Sequence, residues 1–410
     1  MQTAILQTLL TTPAGREADE VLRNCVHCGF CNATCPTYQL TGDELDGPRG
    51  RIYLIKEMLE GRPATARTQL HLDRCLTCRA CETTCPSGVE YHHLLDTGRE
   101  LIERQVGRTP GGYLLRRVLR LVLTRRRMFT VLLRTGQLLR PLLPAGMRRQ
   151  VPAMPPRLPS ASGTNHRRRM LLLEGCVQPA LAPQINHATR RVLDALGITA
   201  VSAAGSGCCG AVSHHLGAAD EARRLMRKNI DAWWPEIRAG AEAIVITASG
   251  CAPQVKEYGR RLAQDSVYAE KAARVSALAR DLSEVVTREP FEGRLRPPAD
   301  ARKIAFHSPC TLQHAQRLNG VVEDLLLRTG FELAPVADRH LCCGSAGTYS
   351  LLQPALGRKL ADNKLEALQA GEPDVIATAN IGCLMHLAGA SRVPVRHWIE
   401  LLEPLFSEAL

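Results

Sequence analysis

Residues 25–38 read CVHCGFCNATCPTY and residues 75–88 read CLTCRACETTCPSG, so the chain writes C-x2-C-x2-C-x3-C-P twice, fifty positions apart. Three cysteines at x2 spacing bring their thiolates around one point when the backbone loops, and the small or polar fillers Gly29, Asn32, Ala33, Thr77 and Ala80 let it turn its N–H groups inward. The proline after each fourth cysteine has its own use. Pro36 and Pro86 disfavour the α region for Cys35 and Cys85 and stop a helix from running through them, so each fourth thiolate is free to leave its own loop. Tetrahedral zinc, the alternative, needs two CxxC hooks and has no use for a third cysteine followed by C-P.

In two-cluster ferredoxins this spacing ligates [4Fe-4S] clusters, and the fourth cysteine of each run binds the other cluster. On that pattern one cluster takes Cys25, Cys28, Cys31 and Cys85, and the second takes Cys75, Cys78, Cys81 and Cys35.

At 410 residues and 45% apolar composition the chain is long enough for two or three domains with real cores. Its sixteen cysteines fall in two zones, eight between 25 and 85 and eight between 176 and 383. The N-terminus MQTAILQTLLTTPAG lacks a positive region ahead of its apolar run, and no window reaches eighteen uninterrupted apolar residues. A cytoplasmic chain with reduced cysteines is expected, and tight clusters of reduced cysteines are metal ligands before they are disulfides.

The second zone repeats itself. Cys176, the Cys208–Cys209 pair and Cys251 match Cys310, the Cys342–Cys343 pair and Cys383 at offsets of 134, 134 and 132. In each half an apolar run (MLLLEG, KIAFHS) leads to a cysteine, a helical pattern follows, and CCG comes next. Another helical pattern, a second β-like run (AIVITASG, DVIATANIG) and a last cysteine complete the unit. Strands alternating with helices predict two α/β lobes with parallel sheets, their cysteines at the strand ends. Gly210 and Gly344 allow a sharp turn after each pair, so both sulfurs face one site. Four thiols per lobe suffice for a further iron-sulfur cluster. The expected divisions are 1–100, an α-helical two-[4Fe-4S] ferredoxin-type domain; 101–168, a basic helical segment and Pro-rich linker; 169–300, the first α/β CCG lobe; and 301–410, the second.

The formal charge of +12 is concentrated. Residues 99–169 hold 17 arginines against two glutamates, and the remainder is slightly acidic. If 114–134 is helical, Leu115, Val118, Leu119, Val122, Phe129 and Leu133 share a stripe, with Arg116, Arg117, Arg120, Arg127 and Arg134 mostly away from it. Arg126 interrupts the stripe, which points to a break near the RRR run. Packing on a neighbouring segment or subunit, peripheral contact with anionic lipid at the inner face of the cytoplasmic membrane, and nucleic acid are the three destinations for such a helix. With only 4% aromatic residues there are few rings to stack bases, so no nucleic-acid partner is expected. His92–His93 and His214–His215 read as surface or core residues. His386, by its place in the repeat, reads as a candidate ligand or hydrogen-bond donor to a cluster.

The ferredoxin-type segment followed by two CCG repeats resembles the iron-sulfur subunits of flavin-linked hydroxyacid dehydrogenases. The fuller stretches GDELDGPRGRIYLIKEMLEG (42–61), LHLDRCLTCRACETTCPSGVEY (70–91) and SGCCGAVSHHLG (206–217) are similar to the glycolate oxidase iron-sulfur subunit family in particular. That resemblance implies an assembly in which two FAD-binding flavoprotein subunits oxidise glycolate to glyoxylate while this chain passes electrons to the respiratory chain, with quinone as acceptor. Iron-sulfur subunits for D-lactate or glycerol 3-phosphate dehydrogenation share the cysteine layout, and a CCG-type disulfide or quinone reductase is the remaining alternative. The fullest CCG modules, in heterodisulfide reductases, close each repeat with CxxC. Here the repeats end Cys251-Ala-Pro-Gln254 and Cys383-Leu-Met-His386, so a fifth cysteine is absent from each. No G-x-G-x-x-G follows a strand and no phosphate loop is present, so the flavin is expected on partner subunits.

Overall fold

Prolines open three of the N-terminal helices. Pro13–Asn24, Pro36–Thr41 and Pro48–Leu59 each begin on one, where the missing N–H costs nothing and φ is already helical. In the computed structural model, which describes residues 1–144, 148, 151–155, 158–159, 164–291, 295–296 and 302–406, these pack with Ala66–Asp73 and Tyr91–Gln105 into an all-helical N-terminal body. Helix Tyr91–Gln105 buries Leu94, Leu95, Gly98 and Ile102 at i, i+4, i+8 spacing. Gly98 sits where a Cβ would come 2.7 Å from Ile55, so its hydrogen is what lets this helix lie close on Pro48–Leu59. Leu22, Ile55, Leu59 and Leu72 complete that core, each adding about 1.5–3 kcal/mol on leaving water.

Two four-stranded parallel sheets follow. The first has order β2-β1-β3-β4, with β1 Arg168–Leu173, β2 Ile198–Val201, β3 Ile244–Ile246 and β4 Ala279–Asp281. The second has order β6-β5-β7-β8, with β5 Lys303–His307, β6 Glu332–Leu333, β7 Val375–Thr378 and β8 Val395–His397. All pairings are parallel, which makes the two lobes topological copies. The sequence reading expects two strands per lobe, and those are the central ones. The outer strands are short and carry Arg280, Glu332 or Arg396, because an edge strand need not be apolar on both faces.

Alternation along β1 feeds two cores. Met170 and Leu172 face one shared by both lobes, together with Ile304, Phe306, Val375 and Trp398, whereas Leu171 and Leu173 face the first lobe's outer core with Trp233 and Tyr258. Polar bonds also cross between lobes: His397 Nε2 meets the Thr247 carbonyl at 3.0 Å, and the Ser249 amide donates to the Ala379 carbonyl at 3.0 Å. The carboxyl ends of the two central strand pairs are thereby brought to one place, where open α/β sheets bind ligands.

The basic segment forms two helices, Pro110–Leu123 and Arg126–Leu139, broken at Thr124–Arg125 as the RRR run suggests. Its phase differs from the expected stripe. Leu115 and Val118 point outward at 46% and 43% exposure, while Arg116 and Arg120 turn in to pair with Asp73 at 3.0 Å and Glu221 at 3.3 Å. Acidic partners on the N-terminal body and the first lobe set the rotation, which hydrophobic spacing cannot register. Residues 145–147, 149–150, 156–157 and 160–163 of the Pro-rich stretch expected as a linker lie outside the described residues. Among the described residues no helix is long and apolar enough to cross a membrane.

Candidate metal centre

The two cysteine loops have matching backbones. His27 and Gly29 in one, and Thr77 and Arg79 in the other, take positive φ of 61°, 88°, 54° and 63°. Alternate left-handed residues curl the chain so that successive N–H groups point inward, as in an anion-binding nest. The Thr77 amide lies 3.4 Å from the Cys75 sulfur. Cys31 and Cys81 follow on the short helices Phe30–Ala33 and Ala80–Thr84. Cys35 and Cys85 then sit in extended backbone, at φ −84°, ψ 113° and φ −74°, ψ 116°. That is the conformation a following proline imposes. Pro36 does more than break the chain, since it also starts the next helix.

The loops enclose two adjoining pockets. Cys25, Cys28, Cys31 and Cys85 line one; Cys35, Cys75, Cys78 and Cys81 line the other, and Cys81, Pro48 and Tyr91 reach both. Each fourth cysteine therefore faces the pocket of the opposite loop. The donors are soft thiols with no carboxylate among them, a set that fits an iron-sulfur cluster. Burial, followed by the neighbouring Cys25 and Cys28 thiols, pushes Cys31 up to about 11. Burial likewise holds Cys78 and Cys81 well above the ordinary thiol range. Loading the sites therefore has to drive protons off. The pockets differ in depth: Cys28 is exposed and flanked by exposed Val26 and Phe30, whereas Cys75 and Cys81 are buried.

The stretch 42–61, quoted above for resemblance alone, has a physical task at the inner pocket. Arg51 is 1% exposed. Its guanidinium donates to the His71 carbonyl at 2.8 Å and Thr37 Oγ1 at 3.1 Å, with the Cys35 sulfur 4.0 Å away. Burial alone would lower its pKa, but Cys75, Tyr91, Cys35 and Asp46 together raise it, so the cation persists beside the sulfurs. Asp46, fully buried, fixes this array through His71 at 2.8 Å and Arg74 at 2.7 Å. The Tyr91 hydroxyl donates to the Cys75 sulfur at 3.7 Å. No spacing rule marks these residues; a charge this deep becomes visible only in three dimensions.

In each lobe the CCG cysteines gather as a chain of hydrogen-bonded thiols, Cys176–Cys208–Cys209–Cys251 and Cys310–Cys342–Cys343–Cys383. The Cys310 and Cys342 sulfurs are 3.8 Å apart. Gly210 and Gly344 take φ of 91° and 84° as the CCG turn requires, and each amide lies 3.4 Å from the sulfur of Cys208 or Cys342. Both quartets open on a single cavity of about 630 Å³, lined by all four first-lobe cysteines, by Cys310, Cys342 and Cys383, and by Cys75 of the N-terminal body. Leu123, Phe129 and Leu133 from the basic helices wall it on an apolar side.

The histidines take different places. His386 lines the cavity, but its Nε2 is engaged with the Gly357 carbonyl at 3.1 Å. The imidazole that reaches second-lobe cysteines is His307, at the end of β5. Aligning the halves at the 134-residue offset, which sets His307 opposite Leu173, is the signal that would have found it. His92 and His214 are buried between bodies. His92 bridges Glu82 at 2.8 Å and Glu257 at 3.1 Å, and His214 meets Asp96 at 2.7 Å.

Comparison with known proteins agrees with this layout. Residues 21–89 match the 4Fe-4S dicluster domain family, and residues 170–256 and 304–388 match the cysteine-rich domain family CCG. The chain is 57% identical over 403 residues to the glycolate oxidase iron-sulfur subunit of Escherichia coli (strain K12), covering 98% of each. It is 30% identical over 396 residues to the probable glycolate oxidase iron-sulfur subunit of Bacillus subtilis (strain 168), covering 89% of this chain and 88% of that one. Lactate utilization protein A of Bacillus licheniformis matches at 28% over 222 residues, 52% of this chain and 88% of that one. The crystal structure of a hypothetical protein from Helicobacter pylori shares the fold, with TM-score 0.54 at 10% identity over 97% of this chain and 73% of the other.

Proposed function

The chain belongs to the family of glycolate oxidase iron-sulfur subunits, electron-transfer components of an oxidoreductase with further subunits, and from that premise we propose that its electrons enter beside Cys28 and leave at the cavity between the lobes. When bound, [4Fe-4S] clusters accept and release single electrons. Cys25, Cys28, Cys31 and Cys85 hold the outer cluster, and Cys75, Cys78, Cys81 and Cys35 the inner. The observation that carries this reading is the crossed division of eight cysteines between two adjoining pockets, one at the surface and one beside the cavity. Exposed Val26 and Phe30 offer the outer edge to a partner. Arg51 and Tyr91 stabilise negative charge on the inner sulfurs. Region 1–100 is thus the wire, 101–168 a basic brace, and 169–300 and 301–410 the two exit lobes.

Two FAD-binding flavoprotein subunits take electrons from glycolate and release glyoxylate. A further cluster in the lobes has its four-thiol set in Cys176, Cys208, Cys209 and Cys251. Quinone is the acceptor, a choice supported by the apolar wall of the cavity. The outward row Tyr113, Leu114, Leu115 and Val118, set among arginines, suits peripheral contact with the inner face of the membrane.

The test is anaerobic reconstitution with iron and sulfide counting and electron paramagnetic resonance. About eight irons are expected from the N-terminal sets and about twelve with the first-lobe cluster. Cys85→Ser should alter the outer cluster's spectrum and spare the inner one, despite its place in the inner loop; the reverse pattern would refute the crossed assignment. Turnover with co-purified flavoproteins should favour glycolate over D-lactate and glycerol 3-phosphate.

A further inference from the structure

The second lobe contains a donor that the first lacks. His307 is 2% exposed, and neither of its ring nitrogens has a hydrogen-bond partner. A ring nitrogen of His307 and the sulfurs of Cys343 and Cys383 all lie within 4.8 Å of one another. Cys342 hydrogen-bonds Cys343 in the same thiol chain. The trio lies against an apolar cluster that includes Ala305, Leu365 and Ile376.

Leu173, opposite His307 in the repeat, is equally buried and simply packs. An apolar side chain therefore satisfies this site in the fold. An imidazole there leaves buried polar atoms unpaired and calls for a ligand. The other histidine-containing trios differ. His92 lies between two carboxylates, His214 meets Asp96 and Arg261, and His71 meets Asp46, which also binds Arg74. In those places at least one ring nitrogen is already paired with a carboxylate, whereas at His307 neither is.

We infer that His307, Cys342, Cys343 and Cys383 hold a single divalent transition-metal ion of the zinc class. Three thiolates and one imidazole form a closed tetrahedral zinc set, with bonds of about 2.0–2.3 Å. The three of these donors that gather within 4.8 Å suit one ion, with Cys342 beside them in the thiol chain as the fourth, whereas a cubane spreads its thiolates over separate irons. Binding releases the thiol protons to solvent and leaves one net negative charge. Lys364, 3% exposed and hydrogen-bonded to the Asp338 carbonyl at 2.7 Å, lies close enough to Cys342 and Cys343 to offset it. The ion ties β5 to the CCG turn and to helix Ile381–Ala388. Having no redox chemistry, it leaves the first-lobe quartet as the cluster-competent set of the pair.

The experiment uses the full chain purified without oxygen, with zinc, iron and sulfide measured on one sample and Co²⁺ exchanged for zinc. Wild type should carry about one zinc per chain beyond its iron, and the Co²⁺ form should show tetrahedral thiolate bands. His307→Leu, which copies the first lobe, should weaken zinc binding roughly tenfold or more while leaving iron unchanged. His307→Cys should restore an ion with an all-thiolate cobalt spectrum, and Cys176→Ser should leave the zinc in place. The inference is overturned if reduced wild type binds neither zinc nor Co²⁺, if His307→Leu binds them undiminished, or if Cys343→Ser removes iron and sulfide instead. Iron and sulfide also report the N-terminal clusters, so loss of that reading would be recognised separately.

Discussion

Gly344 and Gly210 occupy the same place in the repeat yet carry unequal demands. At Gly344 an added Cβ would lie 2.6 Å from the Gly357 carbonyl and 2.8 Å from the Leu360 Cβ, on top of a φ of 84°. At Gly210 the nearest atom is the Ala222 carbonyl at 3.2 Å, with φ 91°. A left-handed non-glycine residue costs about 1–3 kcal/mol by itself, and overlap with backbone adds to that. Gly344→Ala should therefore lose about 3–4 kcal/mol and Gly210→Ala about 1–2 kcal/mol, read from urea midpoints. Equal losses would mean that the close approach of helix Pro354–Gln369 does not matter. The CCG spelling foretells the turn. The difference in tightness comes from what packs behind it, and no spacing in the chain records that.

At the scale of elements, the helix Pro110–Leu123 is held by charge as much as by apolar contact. Asp73, 15% exposed, receives both Arg108 and Arg116, and Arg116 is 13% exposed. Removing one partner of such a half-buried set strands the others, so Asp73→Asn should cost on the order of 1–3 kcal/mol. Amides of residues 110–123 should then exchange faster by mass spectrometry, with the N-terminal core unchanged. Uniform protection across the chain would show that the arginines are ornamental. The leucine pattern foretold a helix and its break near Arg125–Arg127. It placed Arg116 outward because periodicity ranks residues by hydropathy, and an arginine with a part-buried carboxylate partner behaves as an inward residue.

Across the whole molecule, His92 joins the N-terminal body to the first lobe through Glu82 and Glu257, with Arg79 and His93 beside it. Burial would lower its pKa, but hydrogen bonds to Glu257 and Glu82 raise it from 6.5 to about 9. A folded pKa above the unfolded one contributes stability that is complete below 6.5 and lost as pH climbs through about 9. The contact should therefore weaken by about 3 kcal/mol over that window. His92→Gln should flatten the alkaline fall in thermal midpoint. A wild-type profile already flat between those values would remove His92 from this role.

The sequence by itself determined the cofactor class, the crossed pairing expected of the quartets, the doubled α/β lobe and its CCG turns. These are local: cysteine spacing, a following proline, a glycine after two cysteines and runs of apolar residues act through neighbours along the chain. Tertiary structure alone decided that both quartets face one cavity, that Arg51 lies beneath the inner sulfurs, and that His307 rather than His386 reaches the second-lobe thiols. Those facts depend on how separate elements meet. Their contacts join residues far apart in the chain, and neither charge nor periodicity along the backbone carries that distance.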